Sequence, residues 1–404
     1  MRVLDLIWNR HTRNIVLFLL HFVPVRQRRV VCICWGGTNY NCNPRAITDL
    51  IIKKEREKKA QTSSFEIWYA FVNPDAFSTL LPSEIKSVEL GSLSYFYLLS
   101  SAQFVISNTR FGGGIMWPFK KKRGQFYIQT MHGGHGMKRQ ELEVKDILSE
   151  EYVKLLYEDA SRIDLMLSDS TAWTALARTI FAYPKGEILE VGLPRNDVFF
   201  RPQEVTKMRN DVEAFVIKTK GIVQKPTELK FLVYCPTFRG GHRKDVYGFD
   251  VDRLIVVLEQ RFGGVWYVLV SSHPNMRDYY REVYDFSHPR MVDVGQMDLQ
   301  PILVASDVAI TDYSSAGFEF ALTHKPVFLL MRDKEEYERG LYYDPQDLPF
   351  PYATDDDSLC QNIEAFDDAK YQKDLEKFNR EVVGLKETGH AAEAVVDWME
   401  KKAL

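Results

Sequence analysis

Two histidines each follow a run of apolar residues that is typical of a buried strand. His132 comes just after residues 126–130 (FYIQT), and His273 comes just after residues 266–270 (WYVLV). An imidazole can accept or release a proton near neutral pH, and ligands bind beyond the carboxyl ends of parallel strands. We therefore predict His132 as a general base, with His273 in an equivalent position of a second sheet. The alternative for His132 is a solvated histidine in a glycine-rich loop, because two glycines follow it.

Residues 311–315 (TDYSS) indicate a different chemistry, because they join an apolar strand to an apolar helix. A serine at the start of a helix caps it, and the N–H groups there favour an anion such as a diphosphate. Glu319 lies about one helical turn further on, where a carboxylate can accept hydrogen bonds from ribose hydroxyls. The pattern predicts a diphosphate-binding loop, with an ordinary helix N-cap as the alternative.

Two further loops after predicted strands carry groups that suit phosphate oxygens. The segment PTFR contains Thr237 and Arg239, and the segment PRND contains Arg195 and Asn196. Arginine forms charge-assisted, often bidentate hydrogen bonds to phosphate, and Lys138 adds positive charge in the loop that follows His132. Polar loops after five strands together predict a nucleotide-dependent transferase that acts on a phosphate.

Ten short β-rich runs must position these loops. They are residues 30–35, 67–72, 104–107, 126–130, 165–168, 188–191, 231–234, 266–270, 308–311 and 327–330. Apolar runs that alternate with helix-capable segments predict parallel sheets covered on both faces, which is the α/β doubly wound architecture. Two such series in 404 residues predict two Rossmann-like domains, residues 30–190 and 191–404. The second ends in an amphipathic helix at residues 391–404.

The first 29 residues form a basic segment on a mildly acidic chain. They hold six arginines against one aspartate, whereas the whole chain has a net charge of −3, so nucleic acid is not an expected partner. The apolar stretch at residues 15–22 is too short to span a bilayer, for which about 20 residues are needed. We predict a segment that lies on an anionic inner-leaflet surface, with a helix packed on its own domain as the alternative.

The cysteines and histidines predict neither a disulfide framework nor a metal site. Five cysteines are present, an odd number without paired C-x-x-C spacing, which favours a reducing compartment. His132 and His135 are close in sequence, but no carboxylate or thiolate joins them at a metal-binding spacing. The expected location is therefore the cytoplasm, at the inner face of the cell membrane.

Taken together, these segments resemble the CDP-glycerol glycerophosphotransferase family, the primases and polymerases of teichoic acids and related capsules. The motifs that carry the resemblance are HGGHGMK at residues 132–138, PRND at 194–197, PTFR at 236–239, HP at 273–274 and TDYSS at 311–315. Residues 335–337 (EEY) and 340–344 (GLYYD) continue it, and residues 36–44 (GGTNYNCNP) resemble its N-terminal half. The family has Thr-Pro after His-Gly, and this chain has a reshaped loop with Gly133, Gly134 and His135 there.

The resemblance implies a GT-B-type fold, two Rossmann-like domains facing a central cleft, and transfer of glycerol phosphate from CDP-glycerol with release of CMP. The acceptor it implies is the hydroxyl of a lipid-linked or polymeric polyol phosphate or glycan. By carry-over, His132 is the base for that hydroxyl, His273 hydrogen-bonds or protonates the diphosphate, and Gly133 and Lys138 lie on the acceptor side. The implied donor-binding residues are Arg239, Thr237, Thr311, Asp312, Ser314, Ser315, Glu319, Arg195 and Asn196. Magnesium is expected to assist, if at all, through the diphosphate, and no other cofactor is implied.

Three functions remain open at this point. CDP-ribitol in place of CDP-glycerol is the nearest alternative, and a glycosyltransferase using a nucleotide sugar on the same fold is another. A non-catalytic scaffold in envelope assembly is the third, although such a scaffold would tolerate loss of both histidines and this chain has both.

Overall fold

The structure, a computed structural model, describes residues 10–57, 64–111, 116–118, 120–183, 186–237, 239, 244–271 and 282–404, with the backbone alone for residues 10–14. The chain divides into two compact units. The first comprises residues 1–134, 141–197 and 386–404, and the second comprises residues 135–140 and 198–385.

A seven-stranded parallel sheet with the order β3-β2-β1-β4-β5-β6-β7 forms the centre of the first unit. Its strands are β1 (Arg26–Ile33), β2 (Glu66–Phe71), β3 (Ile85–Glu89), β4 (Ala102–Ser107), β5 (Phe126–Gln129), β6 (Leu165–Ser168) and β7 (Glu187–Glu190). Its helices are α1 (Arg10–His21), α2 (Cys42–Glu57), α3 (Leu93–Ser101), α4 (Glu150–Ala160) and α5 (Thr171–Ile180), together with the C-terminal helix (Ala391–Ala403).

The sheet of the first unit is buried on both faces, which explains the continuous apolar runs of its central strands. Along β1, Val30 and Cys32 join one core, to which the C-terminal helix contributes Met399. Val31 and Ile33 point to the opposite face and join the other core. Because successive side chains of a strand alternate between faces, a strand covered on both sides must be apolar at every position.

A six-stranded parallel sheet with the order β10-β9-β8-β11-β12-β13 forms the centre of the second unit. Its strands are β8 (Leu229–Cys235), β9 (Val265–Val270), β10 (Met291–Asp293), β11 (Val308–Thr311), β12 (Val327–Leu330) and β13 (Tyr352–Ala353). Its helices are α6 (Pro202–Lys220), α7 (Val251–Phe262), α8 (Leu299–Ala305), α9 (Ala316–Phe320), α10 (Asp356–Glu364) and α11 (Asp368–Lys377). The predicted α/β class with two parallel sheets is confirmed.

The C-terminal helix belongs to the first unit, although the predicted boundary at residue 190 assigns it to the second domain. Both carboxylate oxygens of Asp197 accept hydrogen bonds at the start of this helix, from the backbone N–H groups of Ala391 and Ala392 (2.9 Å each). The chain therefore returns to the first sheet at its end. Sequence spacing alone does not reveal such a return, because the contact joins residues nearly 200 positions apart in the chain.

The end of the predicted basic segment is a strand, not a free tail. Arg28 and Arg29 lie in β1, where Arg28 pairs with Glu400 (Nη2–Oε2, 2.6 Å) and Arg29 pairs with Glu66 (Nε–Oε2, 2.8 Å). The Arg29 side chain is 4% exposed, so its charge is neutralised inside the first unit. Of the described residues of this segment, those before Arg26 lie outside the sheet.

Helix α1 is packed on its own unit, as one of the two alternatives for this segment expects, and it also has an exposed apolar stripe. Leu17 and Leu20 pack against the core of the first unit, and the Ser100 hydroxyl donates a hydrogen bond to the carbonyl of Leu20. A second apolar stripe faces away from this core and is exposed; it consists of Ile15, Phe18, Leu19 and Phe22. In the described ranges, no helix is both long enough and apolar enough to cross a membrane.

Candidate functional site

His132 lies just beyond the end of β5, with its side chain exposed at the carboxyl edge of the first sheet. Its Nδ1 is 2.9 Å from the carbonyl oxygen of Asn108, and its ring packs against the Trp35 ring with centroids 4.7 Å apart. A carbonyl oxygen can only accept, so Nδ1 carries the proton in this hydrogen bond and Nε2 is the nitrogen that can take up another. The arrangement suits a general base whose tautomer is fixed by the backbone.

Asn108 and Asn43 hold the backbone around this histidine. The Asn108 side chain accepts a hydrogen bond from the N–H of Trp35 (2.8 Å). The Asn43 amide donates to the carbonyls of Thr130 (3.1 Å) and Met131 (2.9 Å), the two residues that precede His132. Their positions were not predicted as site residues, although Asn43 lies in the GGTNYNCNP segment that carries the resemblance.

Backbone strain accompanies these hydrogen bonds. Trp35 and Met131 both adopt left-handed conformations, with φ of 50° and 56°. Each such conformation in a bulky residue costs on the order of 1–3 kcal/mol and persists only where the surroundings enforce it. The loops that carry His132 and its aromatic neighbour are thus held in one conformation by the rest of the first unit.

The PRND loop (residues 194–197) also belongs to the first unit and begins a 3₁₀ helix (Pro194–Phe200). The N–H of Arg195 donates to the Asn43 side chain (3.0 Å), and the Asn196 amide donates to Glu387 (2.9 Å). The side chain of Arg195 is buried beside Cys42. Arg195 and Asn196 therefore support the His132 loop and the returning chain, and their contact with a nucleotide stays a prediction.

Gly133 and Gly134 follow His132, and Gly134 closely approaches a neighbouring strand end. A Cβ atom at Gly134 would lie 1.7 Å from Oδ2 of Asp169, the residue directly after β6. Asp169 is 4% exposed, so its carboxylate has little room to move aside. No side chain fits at residue 134 without displacing this carboxylate.

In the second unit, the PTFR and TDYSS loops are joined through Asp312. The register of the sheet places Thr311 beside Cys235, so both loops leave the sheet at the same level. The Asp312 carboxylate accepts from the N–H of Thr237 (2.8 and 3.0 Å) and from that of Tyr313 (2.6 Å). The Thr311 hydroxyl donates to the Cys235 carbonyl (2.5 Å). Thr311 and Asp312 thus fix the loops.

Arg239 is enclosed by acceptors. It pairs with Asp333 through Nε (2.7 Å) and Nη2 (3.1 Å), with Asp312 through Nη2 (3.0 Å), and Nη1 donates to the carbonyl of Thr237 (2.8 Å). Burial lowers the pKa of Arg239, but the hydrogen bond to Asp333 and the charge of Asp312 outweigh burial, so the net pKa is raised. The guanidinium is positively charged at every physiological pH and is matched by two carboxylates.

A tyrosine pair covers this guanidinium. The rings of Tyr313 and Tyr337 are stacked, with centroids 3.7 Å apart and an interplanar angle of 9°. The Arg239 guanidinium carbon lies 4.8 Å from the centroid of Tyr313 and 5.2 Å from that of Tyr337. Burial raises the pKa of Tyr337 to about 12, so both rings are neutral at physiological pH. The EEY motif thus contributes to the same cluster as PTFR and TDYSS.

The start of α9 differs from the predicted N-cap. Ser315 precedes the helix but its side chain makes no capping hydrogen bond, whereas the Ser314 hydroxyl accepts from the N–H of Ala316 (3.3 Å). The α-helix itself is only five residues long. Glu319 is 4% exposed and accepts a hydrogen bond from the Gln300 amide (3.1 Å). Ser314 and Ser315 are half-buried and stay predicted donor ligands, as does Glu319.

Lys138 lies in the second unit, whereas His132, only six residues earlier, lies in the first. Residues 135–140 belong to this unit, where Lys138 forms an antiparallel bridge with Leu341. Hydrogen bonds on either side fix this bridge, from the N–H of Arg139 to the carbonyl of Gly340 (3.1 Å) and from the N–H of Tyr342 to the carbonyl of Met137 (2.6 Å). The predicted acceptor-side role of Lys138 is not tested by these contacts.

His273 lies outside the described residues, so its role stays a prediction. Among the residues that are described, no three His, Cys, Asp or Glu side chains are grouped as metal ligands would be.

Comparisons with known proteins agree with the motifs. A family model described as CDP-glycerol:poly(glycerophosphate) glycerophosphotransferase matches residues 15–401. The teichoic acid poly(glycerol phosphate) polymerase of Bacillus spizizenii is 26% identical over 407 residues, which cover 95% of this chain and 95% of that protein. The chain spans only about half of two other proteins of that name, 51% in Staphylococcus epidermidis and 45% in Bacillus subtilis. A teichoic acid ribitol-phosphate primase of Bacillus spizizenii is 29% identical over 54% of each chain.

Among solved structures, the wall teichoic acid polymerase TagF is similar. A histidine variant of TagF soaked with CDPG has 26% sequence identity and a TM-score of 0.76, covering 98% of this chain and 96% of that chain. This likeness and the two parallel sheets confirm the predicted GT-B-like fold class.

Proposed function

Because this chain belongs to the CDP-glycerol:poly(glycerophosphate) glycerophosphotransferase family, we propose that it transfers glycerol phosphate from CDP-glycerol to an acceptor hydroxyl and releases CMP. The family that the motifs predict, and the enzyme class that goes with it, are confirmed by the match over residues 15–401. The acceptor is a lipid-linked or polymeric polyol phosphate or glycan in the synthesis of teichoic acid or a capsule-like polymer.

The observation that carries the proposal within the structure is the fixed, exposed imidazole of His132. Its Nδ1–H is held by the carbonyl of Asn108, so Nε2 is the nitrogen that takes the proton of the acceptor hydroxyl. The hydroxyl oxygen forms a bond to the phosphorus that bears glycerol, and the bond from that phosphorus to the CMP oxygen breaks. CMP leaves with the electron pair, and we assign its stabilisation or protonation to His273.

The donor is proposed to bind at the loops of the second unit. Asp312 and Arg239 hold the PTFR and TDYSS loops together, and Ser314 and Ser315 of the second loop are half-buried. Phosphoryl transfer needs positioning and charge stabilisation more than covalent help, and fixed loops supply positioning. Any magnesium is proposed to arrive with the diphosphate, so EDTA should leave a basal rate in the absence of added metal.

We place the protein at the inner face of the cell membrane, where lipid-linked acceptors are found. Support comes from the exposed stripe of α1, in which Ile15, Phe18 and Leu19 are followed at helical spacing by Phe22, just after the end of the helix. Arg26 follows at the start of β1, where its largely exposed side chain pairs with Glu66 (Nε–Oε2, 3.4 Å), so the apolar stripe carries this proposal. Such a surface suits a helix that lies in the headgroup region of an anionic bilayer.

A donor panel tests the reaction. Purified protein is incubated with a glycerol-phosphate-bearing acceptor and CDP-glycerol, CDP-ribitol or a UDP-sugar, and nucleotide release is measured by ion-pair chromatography. We expect CMP from CDP-glycerol, and a loss of about 10²- to 10⁴-fold in His132→Ala, because a general base contributes that much. His390→Ala is the matched control, since this histidine also lies in the first unit and its side chain is 75% exposed. Turnover of a UDP-sugar without CMP release would refute the proposal.

CDP-ribitol is the second candidate donor, and one observation favours it. The ribitol-phosphate primase is 29% identical to this chain, a higher identity than the 26% of the glycerol phosphate polymerase, although over a shorter stretch. CMP release from CDP-ribitol alone would select this alternative.

A further inference from the structure

We propose that Lys138, rather than Arg239, supplies the cation that meets the diphosphate of the donor. This inference rests on the proposed function and changes the role of Lys138 from the acceptor side to the donor side.

The first step concerns Arg239, whose guanidinium has five N–H groups, four of which already face acceptors of the protein. Nε, Nη1 and Nη2 all donate to acceptors of the protein, and two of its partners are the carboxylates of Asp312 and Asp333. One positive charge therefore faces two negative charges. A diphosphate brought to this guanidinium would find at most the second N–H of Nη1 and would compete with two carboxylates for the other donors, so Arg239 mainly orders the loops.

The second step is the position of Lys138 in the same unit. Its backbone is fixed against Leu341 by the antiparallel bridge and by the hydrogen bonds of the two residues beside it. Two residues earlier, Gly136 lies against the TDYSS loop, because a Cβ at Gly136 would be 3.5 Å from Cβ of Ser315. The lysine segment is thus part of the wall around the serines that are predicted to bind the donor.

The third step is the state of the ammonium group. Lys138 is half-buried, and within the described part of the chain its Nζ has no hydrogen bond and no ion pair. Burial lowers the pKa of Lys138, the charge of Asp312 opposes burial, and the charges of Arg339 and Arg239 add to it, with a net pKa of about 8. A partly desolvated cation without a partner is unfavourable in the empty protein and becomes favourable when an anion binds beside it.

The charges of the cluster agree with this assignment. Lys138, Arg239 and Arg339 face Asp312 and Asp333, which leaves one positive charge in excess. Arg239 forms ion pairs with both carboxylates, so the positive charge in excess belongs to Lys138 and Arg339. The side chain of Arg339 is exposed. Of these two, the half-buried lysine gains more from an anion because water screens it less.

Isothermal titration calorimetry separates this role from the acceptor-side role. The titrants are CDP-glycerol, CDP and cytidine, so that the diphosphate contributes in the first two and not in the third. We expect Lys138→Met to bind CDP-glycerol and CDP about 10- to 100-fold more weakly than the wild type. Binding of cytidine and the KM for the acceptor should stay unchanged. Lys334→Met is the matched control, because Lys334 is a half-buried lysine of the same unit that packs on Tyr352.

A rise in the acceptor KM with unchanged CDP affinity would overturn the inference. No binding of CDP or CDP-glycerol by the wild type would instead count against the proposed function, so the two failures are distinguishable. Circular dichroism melting checks that Lys138→Met folds.

If Lys138→Met unfolds, the pH dependence of CDP binding by Lys138→Arg tests the same inference. Asp312, Arg239 and Arg339 are the charged groups that act on this lysine. Wild-type affinity for CDP should fall between about pH 7 and pH 9 as the lysine loses its proton, whereas the arginine variant should keep its affinity. Equal pH profiles of the two proteins would contradict the inference.

Discussion

The exposed stripe of α1 predicts how strongly the protein binds a membrane. The perturbation is the double substitution Phe18→Gln and Phe22→Gln, which removes two rings without changing the charge. Both residues are largely exposed, 64% and 68%, so the fold should lose little stability. Leu17 and Leu20, which hold the helix on the first unit, are left in place.

The expected magnitude follows from the exposed area. A phenylalanine side chain has about 200 Å² of surface, so an exposure of 64% or 68% leaves about 130 Å² per ring that can leave water. At about 25 cal/mol per Å², complete transfer of one ring is worth about 3 kcal/mol. A helix lying in the headgroup region realises about half of this value, so two rings contribute about 3 kcal/mol. The partition coefficient should therefore fall about 100-fold.

Co-sedimentation with vesicles of phosphatidylglycerol and phosphatidylethanolamine measures this coefficient. Val223→Gln is the matched control, because Val223 is fully exposed (101%) but lies in the second unit. We expect the control to sediment like the wild type. A double variant that partitions within twofold of the wild type, with an unchanged melting temperature, would refute the assignment of this stripe to the membrane.

Three further predictions concern the first unit. Asn43→Ala removes the amide that donates to the two carbonyls before His132, so kcat should fall about 10-fold. The dissociation constant of CDP-glycerol, measured by calorimetry, should not change. Gly134→Ala places a Cβ 1.7 Å from a buried carboxylate and should lower the Tm by about 5 °C, whereas Gly248→Ala, with nothing within 4 Å, should not. Burial raises the pKa of Asp159 from 3.8 to about 6, so the native state binds its proton more tightly than the unfolded state. The Tm of the wild type relative to Asp159→Asn should therefore fall as the pH rises from 4 to 7; a constant difference would show that the native pKa of this carboxyl is not raised above its unfolded value.

The central strands were predictable because a strand that is buried on both faces needs a continuous run of apolar residues. All ten apolar runs correspond to strands of the two sheets. The strands that the runs do not reveal lie at sheet edges or are very short. In β3 only Ile85 and Val88 are buried, whereas β10 has three residues and β13 has two. An edge strand needs fewer apolar residues, so its pattern resembles that of a loop.

The candidate site was predictable only to the level of single residues. His132 is identified by its place after β5. Its hydrogen bond to the backbone carbonyl of Asn108, and those from Asn43 to the two carbonyls before it, follow no sequence period. Arg239 has the residue type that binds phosphate, and its actual partner Asp333 stands 94 positions further along the chain. Residue type thus predicted that cations lie near the donor-binding loops. Which cation can meet the diphosphate depends on ion pairs between residues far apart in the chain, and the sequence does not reveal those pairs.

The loop after His132, which has glycine where the family has threonine, is explained by the carboxylate of Asp169 beside it. Strands β5 and β6 pair in the first sheet, so the loops that follow them meet at one edge. His132 and Gly134 follow β5, and Asp169 follows β6. The space that a side chain at residue 134 would need is filled by the Asp169 carboxylate, so a threonine there would collide with it. Glycine at this position thus reflects close approach between two strand ends rather than a need for flexibility, and the change in the motif is matched by a buried acid elsewhere in the chain.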